Sequence, residues 1–338
     1  MEPLPGTATP TRRLIELGVT AAELRRPEWR HPHRGIARPN GVDETHPLTR
    51  ITDALPLLPG CGVIGGWSSL YLHGAEHVDG ISPSGGLLPV RLHTCAKHRR
   101  VPRSGVQPTR RRLHGSEIGR LDGRPVSTLA RAVYDEMCLA RTTRDAVVWL
   151  DLVVSRLTAG PRVDLDHVRA LVDRHVKTRG IVRARHALEL ASERSASPLE
   201  TRTRLVVADA FPGLLAKANR PVFTRAGELL GIPDLADLDA GVVLESDGAV
   251  HRSRERQTSD NQRDDRFAAA NLTCVRVTSE DHASPQRLRA RVRAAYARAA
   301  ARDRALDDWS FAPPAWWPAS ELARRWSVRV ADRGPGQP

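Results

Sequence analysis

Lysine is nearly missing from a chain that is nonetheless strongly basic: Lys97, Lys177 and Lys217 stand among 52 Lys and Arg, against 39 Asp and Glu, for a net charge of +13. That balance favours a polyanionic partner, nucleic acid first and an anionic membrane surface second. Arginine bias beside 25 Gly and 25 Pro is also what a GC-rich coding sequence produces, so the places where charge concentrates say more than the total. Long apolar runs are missing too. None approaches the ~20 residues a membrane helix needs, and the opening MEPLPGTATPTRR has no apolar signal core, so a cytoplasmic protein is expected. No basic helix has a Leu/Phe-rich opposite face, which disfavours a membrane-surface role. The four cysteines, Cys61, Cys95, Cys138 and Cys274, lack CxxC spacing and are expected to be reduced, mostly structural thiols. HTCAKH offers His93, Cys95 and His98 as metal-ligand types, but no second cluster accompanies them.

At 338 residues the chain has room for two or three domains. The first part, 1–45, begins with TRRLIELG, helix-like with Gly18 as a stop. TAAELRR follows with Thr20 as cap and Glu23 three residues later. PEWRHPHRGIARP then reads as a basic hairpin. Helix, turn, helix and hairpin is the order of a winged helix, with Arg25 and Arg26 at the end of its second helix and Arg30, His33 and Arg34 on its wing. A basic solvated face on a helical cap explains the same residues.

The next part, 46–160, opens with HPLTRITDALPLLPGCGVIGGWSSLYLHGAEH, which reads as helix, short apolar strand and helix, with His73 given no chemistry. From Ile81 to Ser116 there is no acidic residue, while Arg91, Arg99, Arg100, Arg103, Arg110, Arg111 and Arg112 accumulate. Unbalanced charge of that kind is solvated or bound to an anion. We read Arg99, Arg100 and Arg110 to Arg112 as phosphate contacts. From GRPVSTLARAVYDEM to HALELASER the apolar spacing is that of amphipathic helices without a catalytic constellation, and 161–194 forms a helical connector.

The part from 195 to 305 breaks the basic pattern. GIPDLADLDAGVVLESDGAVHR places Asp234, Asp237, Asp239, Glu245 and Asp247 around a candidate hairpin. If LGIPDLA and VVLESDG pair with a turn over residues 238–241, Asp234 stands opposite Glu245, where Cβ atoms lie roughly 4.5–5.5 Å apart. Alternation puts Glu245 and Asp247 on one face and Val242, Leu244 and Ser246 on the other. Opposed like charges cost a few tenths to about 1 kcal/mol, which a divalent cation offsets; Mg2+ prefers one or two carboxylates plus water and phosphate oxygens. Asp237 and Asp239 read as turn residues. Ser197, Pro198 and Glu200 spell a helix start in which Glu200 closes a capping box. SDNQRDDRFAAANL reads as a helix capped by Ser259, with Arg263 and Arg266 towards phosphate and Phe267 and Leu272 inward; TCVRVT follows as a strand. The Trp- and Pro-rich tail, 306–338, reads as an irregular segment over the core, with base stacking as the functional alternative.

Two resemblances join these pieces. HRGIARP, GVIGGWSSLYLHG and RPVSTLARAVYDEM are similar to AbiEi-type antitoxin proteins, which pair a winged-helix head with an α/β body. SERSASPLETRTRLVV, GIPDLADLDAGVVLESDGAVH and DNQRDDRFAAANLTCVRVT, within roughly residues 190–300, resemble the endonuclease-like family related to very-short-patch repair nucleases, in the PD-(D/E)xK superfamily. That resemblance implies a metal-dependent phosphodiesterase: Glu200 the helix Glu, Asp234 and Glu245 the metal carboxylates, Asp247 at the usual Lys site, and His251, Asp260 and Arg263 at further family positions. Asn271 replaces a usual Gly. An Asp at the Lys site cannot act as a cation, so His251 or a neighbouring Arg supplies the charge, Asp247 joins the metal shell, or cutting is weak or lost.

The expected fold class is therefore α/β (α+β): winged-helix-like head, α/β body, helical connector and a restriction-endonuclease-like mixed sheet flanked by helices. The expected function is a Mg2+- or Mn2+-dependent endonuclease acting on DNA, with Glu200, Asp234, Glu245, Asp247 and His251 catalytic. The alternative is a DNA-binding regulator or antitoxin-like protein with an idle nuclease fold. A homodimer is left open.

Overall fold

The structure is a computed structural model that describes residues 7–82, 85–95, 103–211, 216–247 and 254–317, with the description limited to the backbone at 247, 254–261 and 285. The readings placed on Arg99, Arg100 and His251, and on the side chains of Asp247 and Asp260, lie outside the described residues. The fold is mixed α/β and divides between Glu193 and Arg194 into two compact units. None of the described helices is long and apolar enough to cross a membrane.

Unit 1 begins with a small head: β1 (Thr9–Pro10), α1 (Thr11–Glu16), β2 (Trp29–His33) and β3 (Ile36–Pro39), the strands ordered β1-β3-β2. Leu14, Leu24 and Ala37 form its core, with Val19 and Trp29 packed against them. Gly18, at φ +97°, ends α1 as expected; only glycine adopts that conformation without strain. The expected second helix is a correction. Thr20 and Glu23 do form the capping box, with the Thr20 N–H donating to Glu23 Oε2 at 2.7 Å and the Glu23 N–H to Thr20 Oγ1 at 3.1 Å. It opens only a single 3-10 turn, Glu23–Arg25. Pro27 follows too closely for a longer helix, because the residue before a proline is pushed out of helical geometry.

The body of unit 1 carries α2 (Pro47–Ala54), β4 (Val63–Gly65), α3 (Gly66–Leu72), β5 (Val90–His93), β6 (Val106–Thr109), β7 (Ile118–Leu121) and β8 (Arg124–Ser127). Its sheet is ordered β6-β5-β4-β8-β7, with β4 antiparallel to β5 and parallel to β8. Helices α4 (Leu129–Leu139), α5 (Thr143–Val154), α6 (Leu165–Arg174) and α7 (Ile181–Leu190) follow. RPVS is thus a strand, where a helical stretch was expected. Thr128 then caps α4 by accepting the Arg131 N–H, and every residue from Ala130 to Cys138 is buried. The thiol expectation is corrected as well: Cys61 and Cys95 form a disulfide. Val63 pairs with His93 at the end of the β4–β5 ladder, and the two cysteines lie two residues beyond that pair, outside the strands, where they meet although 34 residues apart.

Unit 2 runs α8 (Pro198–Ala210), β9 (Lys217–Ala218), β10 (Val222–Phe223), β11 (Leu229–Gly231), β12 (Leu235–Asp237), β13 (Val242–Asp247), α9 (Arg254–Ala269), β14 (Thr273–Thr278), α10 (Ser279–Ala283) and α11 (Pro285–Ala300). The main sheet is ordered β14-β13-β12-β9, with β13 parallel to β14 and antiparallel to β12. Both faces are covered. Val206, Val207, Leu244, Val277, Leu288 and Val292 form one core with α8 and α11. Ala236, Val243, Phe267 and Leu272 form the other with α9. Helix α9 starts at Arg254 rather than after Ser259: the Arg, Glu and Gln of RERQ are good helix formers, and they extend the helix through the expected cap. The tail behaves as an irregular cover in its described part, with Trp309 donating to the Leu238 carbonyl at 3.1 Å and Trp317 buried edge-on against Phe223.

Candidate functional site

The carboxylates of unit 2 are organised by the β12–β13 hairpin. Leu235 pairs with Leu244, Ala236 with Val243 and Asp237 with Val242, and residues 238–241 form the turn. This is the register expected from the alternation, and it sets Asp234 and Glu245 one step beyond the last pair. Leu235, Val242 and Leu244 face the α8–α11 core, while Val243 faces α9. Glu245 shares the face of Val243 and meets Arg263 of α9, Oε1 to Nε at 3.3 Å and Oε2 to Nη2 at 3.5 Å. These contacts are longer than the ~2.7–2.9 Å of a tight charge-assisted bond. Asp237 and Asp239 do sit at the turn. Asp237 Oδ1 accepts the Ala240 N–H at 3.2 Å and Oδ2 the Tyr296 hydroxyl at 3.1 Å.

Glu200 serves the start of α8, the structural one of the two readings given to it. Ser197 caps α8 by accepting the Glu200 N–H at 3.2 Å. In return Glu200 Oε2 accepts the N–H of Ala196 at 2.8 Å, one residue ahead of the cap, and the Asn219 Nδ2–H at 2.7 Å. Asn219 also donates its backbone N–H to the Asp234 carbonyl at 3.1 Å, which ties the helix start to the hairpin. The Asp234 carboxylate is partly buried and accepts the Ser246 N–H at 2.5 Å. Burial, then the charges of Glu200 and Glu245, push its pKa well above the usual carboxylate range, and the Ser246 hydrogen bond only partly opposes them. Three carboxylates therefore influence one another here, and Asp234 holds a proton more tightly than an ordinary aspartate.

The cations proposed for nucleic acid are scattered over both units. Arg25, Arg26, Arg34, Arg110, Arg112 and Arg266 are exposed, whereas Arg263 is partly buried against Glu245. Arg91 and Arg111 turn inward. Arg91 is buried on Glu136, Nε to Oε1 at 3.1 Å, and Arg111 binds Asp135, Nη1 to Oδ1 at 3.2 Å. Part of the acid-free stretch thus finds its counterions on α4, beyond the reach of a local charge count.

That pairing belongs to a buried network in unit 1 that spacing arguments passed over. Arg131, 1% exposed, reaches Asp135 through Nε at 3.0 Å and Nη2 at 3.2 Å, and Glu117 through Nη1 at 2.7 Å. His93 Nε2 lies 2.8 Å from Asp135 Oδ2, and His175 Nε2 lies 2.7 Å from Glu117 Oε1. Burial alone would raise Asp135, but the hydrogen bonds and charges of His93 and Arg131 outweigh it and hold the carboxyl below its ordinary range. Glu117 is lowered as well, with burial again overcome by hydrogen bonds from His175, the His114 backbone and Arg131. The one usable signal was three charged residues, Arg131, Asp135 and Glu136, inside an otherwise apolar helix.

Among the described residues, the one group of three His, Cys, Asp or Glu donors whose ligand atoms lie within 4.8 Å of one another is His114, Glu117 and His175. Its chemistry is that of a zinc site, but its bonds are committed: the His114 side chain accepts the Glu117 N–H and Arg131 is the cation on Glu117. Cys95 of the HTCAKH motif is disulfide-bonded and His93 is held by Asp135, so those two do not form the metal pair considered from sequence. Compared with protein-family models, with curated proteins and with solved structures, the chain matches none.

Proposed function

We propose that the chain is a Mg2+- or Mn2+-dependent endonuclease acting on DNA, with Asp234 and Glu245 as metal carboxylates in a restriction-endonuclease-like unit 2 and basic contacts supplied by a winged-helix-like head. The observation that carries this reading is the hairpin register, which leaves Asp234 opposite Glu245 with Glu200 close enough to perturb Asp234. The order α8, β9, β12, β13, α9, β14, a mixed sheet between helices, supports it. A bound Mg2+ or Mn2+ supplies Lewis acidity and offsets the carboxylate repulsion. Glu200 fixes the start of α8 against the hairpin. Arg263, beside Glu245, is the positive group for phosphate that Asp247 cannot be.

The same Arg263 contact favours a second reading, a DNA-binding regulator or antitoxin-like protein with an idle nuclease fold, because Arg263 already balances Glu245. Incubation with supercoiled plasmid and Mg2+ or Mn2+ separates the two. Nicking that is abolished in Asp234→Ala and Glu245→Ala is the expected result; cleavage that survives both excludes this site. Salt-sensitive binding without cleavage selects the regulator.

A further inference from the structure

Unit 1 holds a cavity of about 120 Å³ lined by Gly66, Arg91, His93, Thr109, Arg111 and Asp135, among others. A water's share of liquid volume is about 30 Å³, so the space suits a four- or five-atom oxyanion and is too small to enclose a whole nucleotide, of which only a terminal phosphate could enter. Its walls are polar groups with most of their bonds assigned. Arg91 pairs with Glu136, and Arg111 and Arg131 share Asp135. His93 differs. It is 3% exposed, its Nε2 is fixed on Asp135, and its Nδ1 is buried with no hydrogen-bond partner. A buried polar atom without a partner is uncommon enough in folded proteins to call for an occupant.

The surroundings select the charge of that occupant. Asp135 holds the His93 ring through Nε2 and leaves Nδ1 as the ring nitrogen without a protein partner. Arg91 and Arg111 flank the space, and the two carboxylates nearest them, Glu136 and Asp135, already spend their charge on arginine and histidine. The backbone is shaped for this crowding. A Cβ at Gly65 would stand 2.5 Å from the His93 ring, and one at Gly66, at φ +51°, 2.2 Å from Glu136 Oε1. The GG of VIGGW is what lets β4 pass so close to the histidine and the ion pair.

We propose that this cavity binds a small oxyanion of the phosphate or carboxylate class, with His93 Nδ1 as the donor and Arg91 and Arg111 as flanking cations. The site is independent of the nuclease reading and would survive its failure. Full-length protein is titrated calorimetrically with inorganic phosphate and with acetate at constant ionic strength in chloride, and the His93 ring nitrogens are followed by NMR. Expected are saturable one-to-one binding of at least one of the two, a shift of the His93 ring signals, and at least a tenfold loss of affinity in His93→Gln and in Arg111→Gln, each checked for its fold by circular dichroism. A 5′-phosphorylated dinucleotide tells a free ion from a nucleic-acid end: binding of that probe assigns the site to terminal phosphates, its failure to free anions. Heat indistinguishable from chloride, or unchanged affinity in a folded His93→Gln, overturns the proposal. Should His93→Gln fail to fold, Arg111→Gln and the wild-type ring shift decide it.

Discussion

Replacing Asp234 by Asn should stabilise the protein, and by more as the pH rises. The Asn Oδ1 still accepts the Ser246 N–H, so the hydrogen bond is kept while the charge is lost. Asp234 has two like-charged neighbours, Glu200 and Glu245. At about 0.2–1 kcal/mol for each opposed like-charge pair, the gain is about 0.5–2 kcal/mol at pH 8. For a domain of this size that is roughly 2–8 °C in melting temperature. The direction with pH follows from linkage. A carboxyl whose folded pKa is raised binds its proton more tightly folded than unfolded, so stability falls as pH climbs from the unfolded value, about 3.9, through the folded one. The advantage of Asn should therefore vanish at pH 4 and be complete above the raised pKa. Millimolar Mg2+ should reverse it at pH 8 by stabilising only the wild type, by about 2.7 kcal/mol when the ion stands at 100 times its dissociation constant. Differential scanning calorimetry at pH 4 and pH 8 measures all of this. Without Mg2+, an Asn variant less stable than wild type at pH 8, or an equal difference at both pH values, would refute the proposed repulsion.

Other perturbations test the two units separately. Arg131→Met removes the buried cation shared by Glu117 and Asp135 and should cost about 3–5 kcal/mol in urea unfolding. Both carboxyls have lowered pKa values, so their contribution in the wild type is present above about pH 4 and lost as pH falls through the folded values; a variant with an unchanged acid limb would show that they do not carry it. Phe267→Ala removes a fully buried ring from the α9 core and should cost about 3–5 kcal/mol, which would be disproved by a calorimetric shift of only a degree or two. Cys61→Ser opens the loop closed by the disulfide and should lower stability by about 2–4 kcal/mol; mass spectrometry of unreduced peptides must first find Cys61 joined to Cys95.

The sequence was most legible where one periodicity had one interpretation. Alternation in VVLESD, with an Asp- and Gly-bearing turn before it, defined the hairpin and its register, and the apolar strand between α2 and α3 was equally plain. It was least legible where the partner lies far along the chain. Cys61 and Cys95 meet because β4 and β5 are adjacent, which no CxxC spacing announces. Arg111 looked unbalanced because its counterion, Asp135, lies on α4, 24 residues away. Local competition explains the rest: Pro27 truncated a helix that Thr20 and Glu23 had correctly opened, and the helix formers of RERQ carried α9 past Ser259.

The hold of Trp309 on the Leu238 carbonyl links two residues 71 positions apart, and a Cβ at Gly241 would already stand 3.0 Å from the same indole. A chain is synthesised from its N-terminus, at about 5–20 residues per second. The turn that joins β12 and β13 is therefore exposed for several seconds before the residue that clamps it has been made. The hairpin thus acquires its final rigidity only after a residue 71 positions beyond Leu238 has been made, so that its turn and its clamp are separated in time as well as in sequence.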